Sequence, residues 1–381
     1  MIKALFKKQY GSEPTVCAQA PGRLEFIGNH TDYNGGPVLG VAVNRHVSVA
    51  LAPRNDELIR IWSGTIHRGV EIRLSELAPL TDDDGWANYA LGVLDELIKA
   101  GMTISSGFDM AVDSDLPAGS GMSSSAAFEL SSACALCELY GFEIDRQAIA
   151  RLARRAENNF VGVPCGILDQ GVCTFGKEHH LVSIDCQTET FGHIRMPEGV
   201  NFWVFNTAKK HALVDSLYST RHRECMDALA DLQTRFKDLK CLAEISLEDL
   251  EDNRILLSGA LYHRAHHVVS ECARVHAVKA ALEDKDMEKV GRLIFASHAS
   301  SRDDFENSIA ELDFLVDKLH NESSVWGARL TGGGFGGAVM AVTTDEFDQA
   351  AAESIAGEYL ERFGQPASVF HTLTGNGAQV I

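Results

Sequence analysis

Short apolar runs separated by polar and glycine-rich breaks fill the first half of the chain, and helical spacing takes over in the second. Val38–Val43 and His46–Leu51 read as strands, rich in β-branched residues. Ile59–Trp62 and Gly107–Val112 read the same way, the latter running into the polar turn Asp113-Ser114-Asp115. From Trp86 to Ala100, Tyr89, Val93, Leu94, Leu97 and Ile98 recur at the spacing of an amphipathic helix. Ser123–Tyr140 is apolar on nearly every side, as a buried helix is. Ile149–Phe160 makes a third helix. From about Asp215 to Leu319 the pattern is mostly helical, with few glycines. A strand at Ala338–Val342, a helix at Phe347–Phe363 and a strand at Ser368–His371 follow. The class implied is α+β. Two domains are expected, 1–195 and 196–381, because the chain is long for one core.

Composition narrows the partners. Of 381 residues, 45% are hydrophobic and 23% charged, the balance of a soluble globular protein. The formal net charge of −19 argues against nucleic acid and against an anionic membrane surface, both of which need a basic face. It leaves room for ATP, since a few local donors bind a phosphate inside an acidic protein. The first residues carry charge but no apolar signal segment, and no run approaches the length of a membrane span. Nine scattered cysteines read as reduced thiols, so a cytoplasmic monomer acting on small molecules is expected. Cys134 and Cys137 form a C-x-x-C, but inside the apolar run, where packing is the simpler use.

Candidate chemistry sits in three places. Gly119–Ser125 lies between a predicted strand and a predicted helix, where free backbone N–H groups and the helix dipole can hold a phosphate. It fits neither G-x-x-x-x-G-K-[ST] nor G-x-G-x-x-G, and a Gly/Ser turn capping a helix is the plainer alternative. Glu157 and Asp169 are two acids suited to a metal and to a proton, the two needs of phosphoryl transfer to a hydroxyl. Two acids at that separation are also common on any solvated surface. Arg23 to Asn34 gathers a cation, an imidazole and a carboxylate in what reads as a loop before a strand.

The wider sequence around these places resembles the GHMP small-molecule kinases. Pro117-Ala118-Gly119-Ser120-Gly121-Met122-Ser123-Ser124-Ser125-Ala126-Ala127 is similar to their second motif, and Gly332–Gly337 to their third. Pro21-Gly22-Arg23 through Asp32-Tyr33-Asn34 resembles the signature of the galactokinase branch. The resemblance implies a two-domain GHMP fold with the active site between the domains. It implies transfer of phosphate from ATP to the C1 hydroxyl of galactose. Gly119, Ser120, Gly121, Met122, Ser123, Ser124 and Ser125 would then hold the ATP phosphates, with Trp86 beside the adenine. Ser125 and Glu157 would bind Mg²⁺. Asp169 would face the C1 hydroxyl with Arg23 next to it. Asn29, His30, Thr31, Asp32, Gly166 and Tyr218 would bind the sugar.

One departure bears on the substrate. The family has Glu-His-Thr-Asp where this chain has Asn29-His30-Thr31-Asp32. The resemblance puts that position at C6 of the sugar, so Asn29 leaves a galacturonate or other sugar 1-kinase open. A non-catalytic sugar sensor is a further alternative. Such relatives lose part of the serine–alanine motif, which is present here.

Overall fold

A computed structural model describes every residue except Ala118, Ser120 and 210–213, and the side chains of 214–216. The expectation placed on Ser120 therefore lies outside the described residues. Strands are β1 (Val16–Ile27), β2 (Pro37–Pro53), β3 (Leu58–Ser63), β4 (Arg68–Arg73), β5 (Phe108–Ser114), β6 (His180–Asp185) and β7 (Thr190–Arg195). They continue with β8 (Asn201–Asn206), β9 (Val325–Thr331), β10 (Ala338–Thr343), β11 (Ser368–Thr372) and β12 (Gln379–Val380). The helices are α1 (Ile2–Tyr10), α2 (Asn88–Lys99), α3 (Ser124–Tyr140), α4 (Arg146–Arg155), α5 (Leu168–Phe175) and α6 (Val214–Gln233). Then come α7 (Leu247–Asp252), α8 (Gly259–Glu283), α9 (Met287–Ser300), α10 (Ala310–His320) and α11 (Gln349–Phe363).

One sheet runs β12-β1-β2-β5-β3-β4, with β6 on β2 and β7 on β6. Its pairs are antiparallel except β3 with β5. The second sheet runs β11-β8-β10-β9. Sheet membership thus changes between Arg195 and Asn201, but β12 returns to the first sheet beside β1. The halves also share a core. One buried cluster joins Leu24, Phe26, Leu94 and Leu130 to Phe202, Val204, Val275 and Met340.

Two strand assignments differ from the sequence reading. The runs 38–43 and 46–51 form a single strand, β2. Asn44 and Arg45 between them do not turn the chain, and the Asn44 side-chain Oδ1 accepts from Leu373 N at 3.1 Å. The second difference is β1, in which Arg23–Ile27 were expected to be loop. Pro21 and Gly22 break its strand pattern, and Gln19, Arg23 and Glu25 break its hydrophobic alternation. The fold accepts them because register shifts fall at Pro21/Arg23 and Glu25/Ile27, as bulges do where a side chain must be re-aimed. Between those shifts the pairing is regular, so Arg23 and Glu25 share one face while Leu24 faces the core.

α3 is buried along most of its length, from Ala126 to Cys137, which explains its lack of a polar face. Cys137 is buried and Cys134 half-buried on this helix, and burial pushes their thiols up to about 12 and about 11. They stay protonated and pack.

Candidate active site

The turn before α3 is pressed against β1. A Cβ at Gly22 would lie 2.7 Å from the Met122 carbonyl oxygen, so only glycine lets the two backbones approach. Arg23 N donates to that carbonyl at 3.1 Å. Ser123 takes a left-handed φ of 52°, which turns the chain into the first residues of α3, Ser124 and Ser125. Gly119 and Gly121 are exposed, while the Met122 side chain is buried in the core. A hollow of about 320 Å³ opens here, lined by Gly119, Gly121, Ser123, Arg23, Lys209 and the glycine loop Gly332–Gly337. The helix dipole and free N–H groups favour an anion in it.

Asp169 stands in the first turn of α5. Arg23 Nε and Nη2 both donate to its Oδ1, at 2.8 and 2.6 Å, and Arg23 Nη1 donates to Gly121 O at 2.6 Å. The Ser123 hydroxyl donates to Oδ2. Ser123 therefore holds the carboxylate here, and its hydroxyl is not turned to a phosphate. Glu157 comes from a π-helical turn, Ala156–Val161, that continues α4 and ends at Gly162. Gln170 Nε2 donates to Glu157 Oε2 at 2.6 Å and to Glu129 Oε2 at 3.0 Å. Burial and the neighbouring Asp169 push the Glu157 carboxyl up to about 7, although the Ser125 hydroxyl bonds to it. Glu129 is driven well above the usual range by burial and by Glu157, and its Oε1 is buried without a partner.

This is an excess of buried carboxylate, and the Arg23 guanidinium is engaged by Asp169 and the Gly121 carbonyl. A hard divalent cation fits it, with oxygen from Ser125 and Glu157. No cluster of three or more acidic, His or Cys ligands that could cage a metal exists among the described residues. That suits Mg²⁺, which binds through one or two carboxylates and completes its shell with phosphates and water.

Arg23 also lines a second cavity, of about 430 Å³, with Glu25, Asn29, His30, Asp32, Asp169, Gly166 and Tyr218. Burial and then the charges of Glu25 and Asp169 push Asp32 up to about 7. A Cβ at Gly166 would collide with Asp32 Oδ2 at 1.8 Å, so glycine is required for the loop to pass that carboxylate. Tyr218 packs 5.2 Å from the His30 ring.

The other residues of the signature turn inward. Thr31 is fully buried, and its hydroxyl bonds to the carbonyls of Gly28 and Pro37, both at 2.8 Å. It was expected at the sugar; it closes its own loop instead. His30 donates from Nε2 to Gly333 O at 3.1 Å and accepts at Nδ1 from the Tyr33 hydroxyl at 2.9 Å. Burial lowers its pKa to about 3, so it is neutral, with both nitrogens occupied. The Asn29 Nδ2 donates to Glu25 Oε1 and to Gly332 O, both at 2.9 Å. Its Oδ1 accepts from Asn307 Nδ2 at 2.8 Å and Ser301 Oγ at 3.3 Å. Two donors and two lone pairs are all an amide has. Asn29 borders the cavity, but it has no bond to spare for C6. Trp86 stacks on Phe128 of α3 at 6.3 Å, and its Nε1 is buried without a partner.

Comparison with known proteins fits this geometry. Residues 4–53 match the galactokinase galactose-binding signature. Residues 88–177 match the GHMP kinases N terminal domain, and 278–362 the GHMP kinases C terminal. A Roseiflexus galactokinase is 36% identical over 99% of this chain and 95% of its own length. The Bacillus subtilis galactokinase is 35% identical over 100% and 98%. This chain belongs to the galactokinase family of the GHMP kinases. The crystal structure of Lactococcus lactis galactokinase complexed with galactose superposes on it with a TM-score of 0.94. It is 32% identical and covers 99% of this chain and 98% of its own. A Methanococcus jannaschii mevalonate kinase, 18% identical, shares the fold at a TM-score of 0.68.

As a galactokinase-family protein it is a phosphotransferase, and some of its site escaped the sequence reading. Glu25 is hidden in an apparent turn. Glu129 lies in a helix that reads as wholly apolar. Lys209 borders the phosphate hollow, its ammonium bonded to Glu311. Asn307, 278 residues from Asn29, caps the signature loop from the other half of the chain. Nothing local in the sequence marks it.

Proposed function

We propose that this protein transfers the γ-phosphoryl group of ATP to the C1 hydroxyl of D-galactose, giving ADP and α-D-galactose 1-phosphate. The observation that carries the reading is the junction of two cavities at one ion pair. Arg23 lines both, and Asp169, held by that guanidinium, faces the larger. Gly119, Gly121, Met122 (through its backbone), Ser124 and Ser125 cradle the phosphates, and Trp86 takes the adenine side. Asp169 accepts or orients the C1 hydroxyl proton. The Arg23 guanidinium holds it in place and stabilises the charge that develops on transfer. Ser125 and Glu157 hold Mg²⁺, which neutralises phosphate charge when bound. Asp32, Gly166 and Tyr218 form the sugar wall.

The uronate alternative rested on Asn29. Its amide is engaged within the protein, and a sugar carboxylate would lie among the carboxyl groups of Glu25, Asp32 and Asp169, which already border the cavity. A sensor would not need Arg23, Asp169 and the serine run assembled around one point. We read the chain as two domains meeting at this site, and as a monomer of the cytoplasm. Nine free thiols suit a reducing compartment. No helix of the described residues is long and apolar enough to cross a membrane.

The test is ADP release with galactose, galacturonate, N-acetylgalactosamine, arabinose and glucose. Galactose is expected to give the highest kcat/KM. A higher value for any other sugar overturns the assignment.

A further inference from the structure

Of the signature residues expected on the sugar, Asn29, His30 and Thr31 have their polar side-chain atoms bonded within the protein. Something else must meet the hydroxyls at that end of the cavity. Glu25 lines it, one strand position pair from Arg23 and on the same face of β1. Its Oε1 accepts from Asn29 Nδ2 at 2.9 Å and from Arg329 Nη1 at 3.2 Å. No described residue donates a side-chain bond to Oε2 among the contacts of this strand, so that oxygen keeps its lone pairs. The carboxylate is also held in place. Its backbone N bonds to Thr331 Oγ1 at 3.0 Å, and Arg329 is fully buried beside it. Arg329 offsets its charge, although burial still raises its pKa above the ordinary carboxylate value.

We propose that Glu25 is the residue through which this chain accepts a hydrogen bond from a hydroxyl of a neutral hexose, with Asn29 and Arg329 as positioning residues that fix its carboxylate. Two donors converge on Oε1, so Oε2 is the oxygen left for the sugar. An acceptor oxygen backed by the Arg329 guanidinium rewards a hydroxyl and offers nothing to a sugar carboxylate, which also only accepts. Selection for an uncharged sugar is thereby set on β1, and not at the loop position where the signature departs from its family. The inference rests on the sugar kinase reading above.

The orientation makes a sharp variant. In Glu25→Gln the amide oxygen must stay with Asn29 and Arg329, so the NH₂ group replaces Oε2 and an acceptor becomes a donor. We expect kcat/KM for galactose to fall about tenfold or more, as for loss of a hydrogen bond to a charged group. The fall should appear in the sugar KM, with the ATP KM within about twofold of the unmodified protein. The decisive readout is a panel of 2-deoxy-, 4-deoxy- and 6-deoxygalactose. In the unmodified protein, the sugar lacking the hydroxyl that Glu25 reads is penalised. In Glu25→Gln that one penalty should shrink and the others persist. Equal losses across the panel would mean that Glu25 only supports the fold, and an unchanged galactose KM would also overturn the proposal. If Glu25→Gln does not fold, Glu25→Asp, which keeps the charge beside Arg329 but shortens the reach, is subject to the same two outcomes. Failure of the unmodified protein to phosphorylate galactose at all would instead sink the underlying reading.

Discussion

The phosphate end and the sugar end of the site are built from motifs of similar density, yet they use their residues in opposite ways. At the phosphate end, small residues leave backbone groups free around a hollow, and one guanidinium ties that hollow to Asp169. At the sugar end, Asn29, His30 and Thr31 spend their polar atoms on one another's surroundings, and Glu25, Asp32 and Tyr218 border the cavity. A loop that must pass between two halves of a molecule needs internal bonds to hold its shape, because every buried polar group left unpaired costs about 1–3 kcal/mol. A glycine turn at a helix start meets that need with backbone alone.

The contrast predicts where substitutions act. Asp169→Asn should lower kcat by about 10²–10⁴, the usual worth of a positioned acid or base, while ATP binding measured by calorimetry stays near its original value. Activity within a few-fold of the original would place the proton transfer elsewhere.

Asn29→Glu should act on stability. It removes a donor to Glu25 and sets a second carboxylate within about a hydrogen bond's length of the first. Uncompensated buried charge of this kind costs about 3–5 kcal/mol, readable from the denaturation midpoint. An unchanged midpoint with a shift of kcat/KM toward galactose over galacturonate would show that Asn29 does face the sugar.

Thr31→Val should cost about 1–3 kcal/mol, because the one hydroxyl proton that the Gly28 and Pro37 carbonyls share is lost. The ratio of kcat/KM values between sugars should stay as it was. A changed ratio would return Thr31 to the sugar wall.

The smallest effect is one of pH. Asp32 and Glu157 both titrate near 7 in the fold, above their ordinary values of 3.8 and 4.5, because burial disfavours the charged form. Between those limits the folded chain binds protons that the unfolded chain has released, so their contribution to stability falls as pH rises from about 4 to 7. Mg²⁺ with ADP should restore it where the carboxylates are ionised. The gain in stability on adding Mg·ADP, read from the thermal midpoint, is expected to be larger at pH 8 than at pH 6, by roughly 1 kcal/mol or less. Equal gains at both values would separate Glu157 from the metal.

Much of the molecule was legible in advance because it depends on local pattern. The spacing from Tyr89 to Ile98 became α2, the apolar run from Ser123 became α3, and the glycine–serine stretch lies at the start of that helix. β1 was not legible. Its proline, glycine and three polar side chains break the strand pattern, and pairing with β2 and β12, with register shifts at Pro21/Arg23 and Glu25/Ile27, makes it a strand. Glu129 was passed over for a related reason. A buried acid inside an apolar helix has no signal in periodicity, and its meaning comes from Glu157 and Gln170 across the fold.

By itself, then, the sequence determined the order of strands and helices over most of the chain, the family, and which side chains carry charge near each motif. Those follow from short-range periodicity and from residue type. The tertiary structure alone decided which of those side chains keep a free lone pair or proton. Asn29 is bonded to Glu25, Gly332, Ser301 and Asn307, contacts that reach across as many as 303 residues. Hydrogen-bonding capacity is used up by whatever lies within about 3 Å, and sequence distance carries no record of that.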